Sequence, residues 1–374
     1  MKNKLGLYIH VPFCAAKCAY CDFYSLGDRL EQRDAYVHRL LADLQRQALQ
    51  CRQYVVDTIY FGGGTPSLLG GKRIAHILDA IRSQYPIAPD VEITVEANPD
   101  SMTEEFLTTS HAAGVNRLSM GIQSAHDDEL KAIGRIHTFS QAQAAFAAAR
   151  KAGFENISVD LMYALPGQTM DRLEQSIDAL LALQPEHLSC YGLTLEQHTP
   201  LGRKNPRLPD EDTQADMYLM LCQRMDDAGF LHYEISNFAK QGFHSRHNSR
   251  YWEQSSYLGF GPGAHGDFAG IRYEIPRDFT AWLAGIAKPQ GEDNEAIDRA
   301  AEYIMLSLRT AHGFDAQYFE QTFSQDSKPV AQALAALPEQ YIRQTDSRWH
   351  LTDAGFLISN AIIVAALDAM ETAK

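Results

Sequence analysis

Positive charge is scarce in this chain. Of its 374 residues 33 are Lys or Arg against 47 Asp or Glu, a net charge of −14. Tracking a phosphate backbone normally takes a broad basic face, so nucleic acid is not an expected partner. Long hydrophobic runs are also missing, and none approaches the roughly 20 residues that cross a bilayer. The opening MKNKLGLYIHVPF is interrupted by His10 and Pro12 and leads into cysteines, so it reads as a first strand and not as a secretory leader. Cysteine is limited to six residues, which without export are thiols or metal ligands before they are disulfides. There is no low-complexity tract and no repeat beyond a β–α alternation. These absences leave an acidic, cytoplasmic globular protein, long enough for two or three domains.

What is present in the first half is that alternation. Short β-rich runs at 5–11, 57–63, 92–97, 116–123, 156–166 and 187–195 are each followed by an amphipathic stretch. The helical stretches are 31–51, 71–84, 103–113, 140–152, 171–183 and 211–229; in DAYVHRLLADLQRQAL the apolar residues recur every three or four positions. Runs such as ISVDLM and HLSCYGL show little clean alternation, as expected for strands covered on both faces. Six such units predict a parallel sheet with right-handed crossovers, either doubly wound or a partial (β/α)6 TIM-like barrel. Both place chemistry at the C-terminal strand ends. Cys14, Gly62–Thr65, Glu96, Gln123 and Asp160 fall at or near those ends.

The pattern stops near residue 230. Residues 232–276, within a connecting segment of 231–292, are rich in aromatic residues, His, Gly and Asn, and are expected to be irregular with short strands. Residues 293–374 read as a separate small module. Helices are expected at 295–310, 315–323 and 328–344, then a strand pair around RWHLT and a last helix over 354–370. That order predicts a mostly helical, winged-helix-like domain.

Cys14-x3-Cys18-x2-Cys21 lies in the loop after the first strand, flanked by Phe13, Tyr20 and Phe23. Three thiolates on one loop can hold three irons of a cubane cluster and leave the fourth open to a chelating ligand. A tetrahedral zinc site is the competitor and needs a fourth ligand. The other cysteines form no second pair, which disfavours a zinc ribbon. Cys51, Cys190 and Cys222 fall in regular elements and are expected to be buried apolar residues. Gly62-Gly63-Gly64-Thr65 lets backbone approach a ligand closely, but no Lys follows it as a phosphate-binding loop requires. Gly259-Phe260-Gly261-Pro262-Gly263 lacks the full dinucleotide fingerprint and is expected to be a tight turn.

The cysteine spacing, with an aromatic before the third Cys, resembles the radical S-adenosylmethionine superfamily. YIHVPFC, FGGGTPS, VEANP, GIQS, GRIH, DLMYALPGQT and GPGAHG narrow the resemblance, over nearly the whole chain, to the oxygen-independent coproporphyrinogen III oxidase-like family. It implies a [4Fe–4S] cluster on Cys14, Cys18 and Cys21. It also implies S-adenosylmethionine against Tyr8, Tyr20, Gly63, Gly64, Thr65, Glu96, Gln123, Arg135 and Asp160. Carboxylates at 96 and 160 can accept hydrogen bonds from ribose hydroxyls or an ammonium group, and Arg135 can pair with a carboxylate.

Two departures separate branches of that family. The oxidase carries one more Cys, two residues after the third, where this chain has Phe23; it also carries a longer N-terminal extension. Both resemble the HemW-type haem-chaperone branch, as does His247-Asn248-Ser249-Arg250-Tyr251-Trp252, which fits H-N-x-x-Y-W. In that branch the pattern implies haem held by His247 with Tyr251 and Trp252 against the macrocycle. The alternative for the same residues is a loop whose His satisfies backbone groups and whose aromatics are core. The implied partners are haem and haem-accepting proteins such as respiratory enzymes, with peripheral membrane association and a homodimer left open. A decarboxylase acting by radical chemistry on propionate side chains is the second functional reading. An RNA-modifying radical enzyme is the third, disfavoured by the acidic charge.

Overall fold

The computed structural model describes residues 3–27, 29–293 and 298–372. Six parallel strands lie side by side in chain order: β1 (Asn3–Val11), β2 (Tyr54–Gly63), β3 (Ile87–Ala97), β4 (Arg117–Gln123), β5 (Ile157–Tyr163) and β6 (His187–Gly192). A doubly wound sheet reverses its strand order at a switch point. Here the order never reverses, so every crossover returns on the same side and the sheet curls around its other face. Of the two architectures open to the sequence, this is the partial (β/α)6 barrel.

The crossovers carry α1 (Arg33–Ala48), α2 (Gly71–Gln84), α3 (Glu104–Ala112), α4 (Asp127–Ala132), α5 (Phe139–Lys151), α6 (Met170–Leu181), α7 (Pro200–Lys204) and α8 (Glu211–Asp227). Local chemistry sets their starts. The hydroxyls of Thr103, Thr138 and Thr169 and the carboxylate of Asp210 each accept the backbone N–H three residues on. At Thr138 the Gln141 side chain answers by accepting the Thr138 N–H, which completes a capping box. In α1, Tyr36, Val37, Leu40 and Leu44 form the stripe buried against the sheet.

The strands alternate more strictly than the sequence suggests. Leu5, Leu7, Ile9 and Val11 are fully buried toward the helices, as are Val159 and Leu161. The intervening residues of β2–β6 (Tyr60, Glu96, Arg117, Ser119, Asp160 and Ser189 among them) face the lumen. The expectation of strands covered by helices on both faces is therefore corrected. One face packs on helices and the other lines a polar interior, and small residues such as Ser158 hide the contrast in the sequence.

The segment after residue 230 joins both edges of this sheet. β7 (Leu231–Glu234) and β8 (Asn237–Ala239) extend it antiparallel beyond β6. β9 (Tyr257–Phe260) runs parallel to β1 and is followed outward by β10 (His265–Phe268), β11 (Ile271–Glu274) and β12 (Gln290–Asp293). Gly261 and Gly263, both at positive φ, make the turn between β9 and β10. Between β8 and β9 stands α9 (Arg246–Trp252), and α10 (Phe279–Leu283) packs on α1.

The C-terminal part is winged-helix-like: α11 (Arg299–Ser307), β13 (Phe314–Asp315), α12 (Ala316–Phe323), α13 (Lys328–Ala335), β14 (Ile342–Thr345), β15 (Arg348–Leu351), α14 (Asp353–Leu357) and α15 (Ser359–Thr372). Its strands form a separate sheet in the order β13-β15-β14. The expected helix at 328–344 ends instead at Ala335. Pro338 disfavours helix in the residue before it, and Ile342–Thr345 pairs with β15 as the wing. The expected start of the first helix, at 295–297, lies outside the described residues. No helix among the described residues is long and apolar enough to cross a membrane.

Candidate functional site

The loop after β1 carries Cys14, Cys18 and Cys21 over the open C-terminal end of the lumen. Backbone bonds anchor it at several points. Cys14 N–H donates to Leu26 O at 3.0 Å, Ala19 N–H to Ile133 O at 3.0 Å, and Leu201 N–H to Ala19 O at 2.8 Å. All three thiols are free of disulfides and line a cavity of about 400 Å³. Among the described residues the three sulfurs are not a set lying within 4.8 Å of one another. A single zinc, with Zn–S near 2.3 Å, would draw each pair to about 3.8 Å. The wider spread departs from that arrangement. Burial pushes the Cys18 and Cys21 thiols above their ordinary pKa.

Glycine at the end of β2 is a matter of space. A Cβ on Gly64 would stand 2.6 Å from Phe13 O and 2.9 Å from Val11 O, both backbone atoms. That close approach allows Gly64 N–H to donate to Val11 O at 2.8 Å and Thr65 N–H to Phe13 O at 2.6 Å. The Thr65 hydroxyl then reaches Cys14 Sγ at 3.6 Å. From it a chain of polar contacts returns to the cysteine loop. Asn98 Nδ2 donates to Thr65 Oγ1 at 3.2 Å, and Arg135 donates to Asn98 Oδ1 at 2.7 Å and to the Tyr20 hydroxyl at 2.9 Å. The guanidinium also lies 5.9 Å from the Tyr20 ring centroid.

Two carboxylates sit in the lumen below. Glu96 accepts from Tyr60 OH at 2.7 Å and from Gly63 N–H at 3.1 Å. Burial nevertheless pushes its carboxyl up to about 7, with Asp160 adding to the rise. Burial likewise raises Asp160 to about 6, opposed by Arg135 and the Ser189 hydroxyl. Tyr20, Gly63, Gly64, Thr65, Glu96, Gln123, Arg135 and Asp160 thus share the cavity with the cysteines. Tyr8 is not on its wall. It lies beneath, stacked on Tyr60, with its hydroxyl 3.1 Å from His10 Nδ1.

The sequence reading overlooked Arg117, Asn98, Tyr60 and Asn248, which also line the cavity. Arg117 is fully buried, and among the described residues no carboxylate lies within ion-pair distance of it. The signal was available: Arg117, Ser119, Gly121 and Gln123 alternate with Leu118, Met120 and Ile122, and only the first set lines the cavity.

The H-N-x-x-Y-W residues form α9, a floor under this cavity. Glu92 of β3 accepts the N–H groups of Arg246 and His247, each at 3.0 Å, and so caps the helix with negative charge. Arg250 is buried against Asp57 and donates to Thr58 Oγ1 at 3.0 Å. His247 is wholly buried. Its Nδ1 lies 2.9 Å from Thr58 Oγ1, its Nε2 lies 3.0 Å from Tyr251 OH, and its ring stacks on Tyr60 at 5.1 Å. Burial lowers its pKa to about 3. Both ring nitrogens are therefore occupied inside the core, and no face of the ring is open. Trp252 points elsewhere, into a second cavity of about 690 Å³ between α9 and the C-terminal module.

Residues 8–180 match the family model for the radical SAM superfamily, and 294–358 that for the HemN C-terminal domain. The heme chaperone HemW of Lactococcus lactis is 36% identical, covering 95% of this chain and 95% of its own. The heme chaperone HemW of Escherichia coli is 35% identical over 96% of this chain and 97% of its own. Among solved structures, coproporphyrinogen III oxidase (HemN) of Escherichia coli superposes with a TM-score of 0.84 at 20% identity, covering 98% of this chain and 90% of that one. At that identity the likeness speaks for the fold alone.

Proposed function

The chain belongs to the heme chaperone HemW family of radical SAM proteins, and from that premise we propose that it binds haem and delivers it to recipient proteins while holding a [4Fe–4S] cluster and S-adenosylmethionine. The observation that carries the reading is the convergence of three thiols, the Gly63–Thr65 turn, Glu96, Gln123, Arg135 and Asp160 on one cavity. Cys14, Cys18 and Cys21 would hold the cluster, which supplies one-electron chemistry and an open iron for the methionine end of the cofactor. Arg135, held by Asn98 and Tyr20, would face the methionine carboxylate. Glu96 and Asp160 would accept from ribose hydroxyls or the ammonium group. Tyr8 would act from beneath the cavity by fixing Tyr60.

Phe23 favours a chaperone over a decarboxylase. It stands 67% exposed at the cavity wall, two residues after the third cluster thiol, where the oxidase has a further Cys. The experiment is a paired one on anaerobically reconstituted protein: turnover with coproporphyrinogen III beside a hemin titration. The account expects saturable haem uptake and no decarboxylation. Sustained loss of carboxyl groups from the porphyrinogen would make the chain an oxidase.

A further inference from the structure

The arm that returns from the cysteines toward α1 is held as closely as the strand that leads to them. Two backbone bonds close the neck of the loop: Cys14 N–H donates to Leu26 O at 3.0 Å, and Leu26 N–H to Pro12 O at 2.6 Å. Within the loop, Tyr24 follows Cys21 by three residues and is gripped at both ends. Its hydroxyl accepts the Phe279 N–H at 2.9 Å, and its carbonyl oxygen lies 2.8 Å from His10 Nε2. His10 is next to last in β1 and 4% exposed, and its own carbonyl accepts the Tyr36 hydroxyl at 2.8 Å.

We propose that His10 is a positioning residue for the cofactor site, a spacer that sets the cysteine loop against the Gly63 turn; the proposal rests on the reading above, that the thiols hold the cluster and S-adenosylmethionine shares their cavity. A carbonyl oxygen only accepts, so His10 Nε2 carries the ring proton, and Nδ1 is left to accept from Tyr8 OH at 3.1 Å. Burial lowers the His10 pKa to about 4, so the ring stays neutral and this division of roles persists at neutral pH. The ring also lies directly against Gly63. A Cβ there would stand 2.6 Å from Cε1, 2.7 Å from Nδ1 and 2.8 Å from Nε2, and Gly63 has φ of +110°. Gly63 in turn donates its N–H to Glu96 at 3.1 Å. One side chain therefore touches the turn with its ring and the cysteine loop with its proton. A cofactor reaching from the cluster to the turn needs that span kept, and an error of about 1 Å in such a span is costly.

Full-length protein with its cluster reconstituted is titrated with S-adenosylmethionine under nitrogen by equilibrium dialysis. The reduced cluster is followed in parallel by electron paramagnetic resonance with and without the cofactor. A glutamine amide can reach the place of His Nε2 and donate to Tyr24 O, whereas asparagine is too short and leucine has no donor. H10Q is expected to bind within threefold of wild type and to keep its spectral change on adding the cofactor. H10N and H10L, at wild-type sulfide content, are expected to bind at least tenfold more weakly, with that spectral change altered. If H10L does not retain its cluster, H10N against H10Q decides. H10N within twofold of wild type overturns the proposal. So does H10Q weakened as far as H10N, since the reach to Tyr24 would then not be what matters. Wild type without saturable binding overturns the cofactor reading itself, and the spacer role with it.

Discussion

The two cavities on either side of α9 are built differently. The cavity of the three thiols is lined from strand ends and one anchored loop, and hydrogen bonds join Thr65, Asn98, Arg135 and Tyr20 on its wall, and Tyr60 with Glu96. The second is lined by helix faces and aromatic rings from two parts of the chain. The first is a preorganised site, as expected for a small ligand whose orientation matters. Between them α9 is fixed to the strands by Glu92, Asp57 and Thr58.

The sharpest way to break this contrast is to remove the cluster. C18A should lower reconstituted iron and sulfide to background, and hemin uptake should persist. Iron content equal to wild type would contradict the cluster assignment; parallel loss of haem would mean that haem is held only when the cluster is present.

The partition itself is tested next. Replacing Arg250 leaves Asp57 buried with only the longer contacts to Lys4 at 3.6 Å and Arg246 at 3.7 Å. R250M is therefore expected to destabilise the chain by about 3 kcal/mol, read by denaturant unfolding. S-adenosylmethionine affinity should weaken with it, because Asn248 of α9 lines the cavity of the thiols. Unchanged affinity in a destabilised variant would mean that α9 does not shape that cavity.

A smaller effect is expected at the Gly-rich turn. G64A places a methyl group against the carbonyls of Phe13 and Val11, which cannot yield without moving β1. S-adenosylmethionine affinity should fall about tenfold, corresponding to 1.4 kcal/mol, with haem affinity unchanged. Equal weakening of both ligands in equilibrium dialysis would mean general damage.

The smallest effect concerns pH. Burial holds Glu96 near 7 and Asp160 near 6, so both bind protons that the unfolded chain has already lost. Folded stability from this source is present at low pH and falls as pH rises through the window from the ordinary carboxylate value to about 7. A cationic ligand favours the ionised carboxylates and must expel those protons. Its affinity is therefore expected to rise severalfold between about pH 5.5 and 7.5 and then level off. Calorimetry in buffers of different ionisation enthalpy would show the proton release, and a flat profile would place the cation away from both groups.

Much of this was legible in the sequence, for stated reasons. The β–α alternation located six strands and their helices because each helix carries an apolar stripe and a capping residue. The cysteine spacing and the Gly-rich turn pointed to the cavity that both line because both are local in the chain. What escaped depends on contacts between distant segments. Arg117 is visible only once alternation in its strand is tied to a lumen. The motif alone does not show that Thr58, far away in the chain, sits against one nitrogen of His247 while Tyr251 sits against the other. The second cavity has no motif at all, and only the packing of the C-terminal module beside α9 creates it. The helix expected to reach 344 stops short because strand pairing outweighs local propensity once Pro338 has broken the run.

The most direct test of two separate sites is a count on one sample. Reconstituted protein is saturated with hemin anaerobically, passed through a desalting column, and assayed for acid-labile sulfide, total iron and haem by pyridine haemochrome. The account predicts about four sulfides and one haem per chain together, with about five irons in total. Haem that arrives only as sulfide is lost would mean that both compete for one cavity, and the account would be wrong.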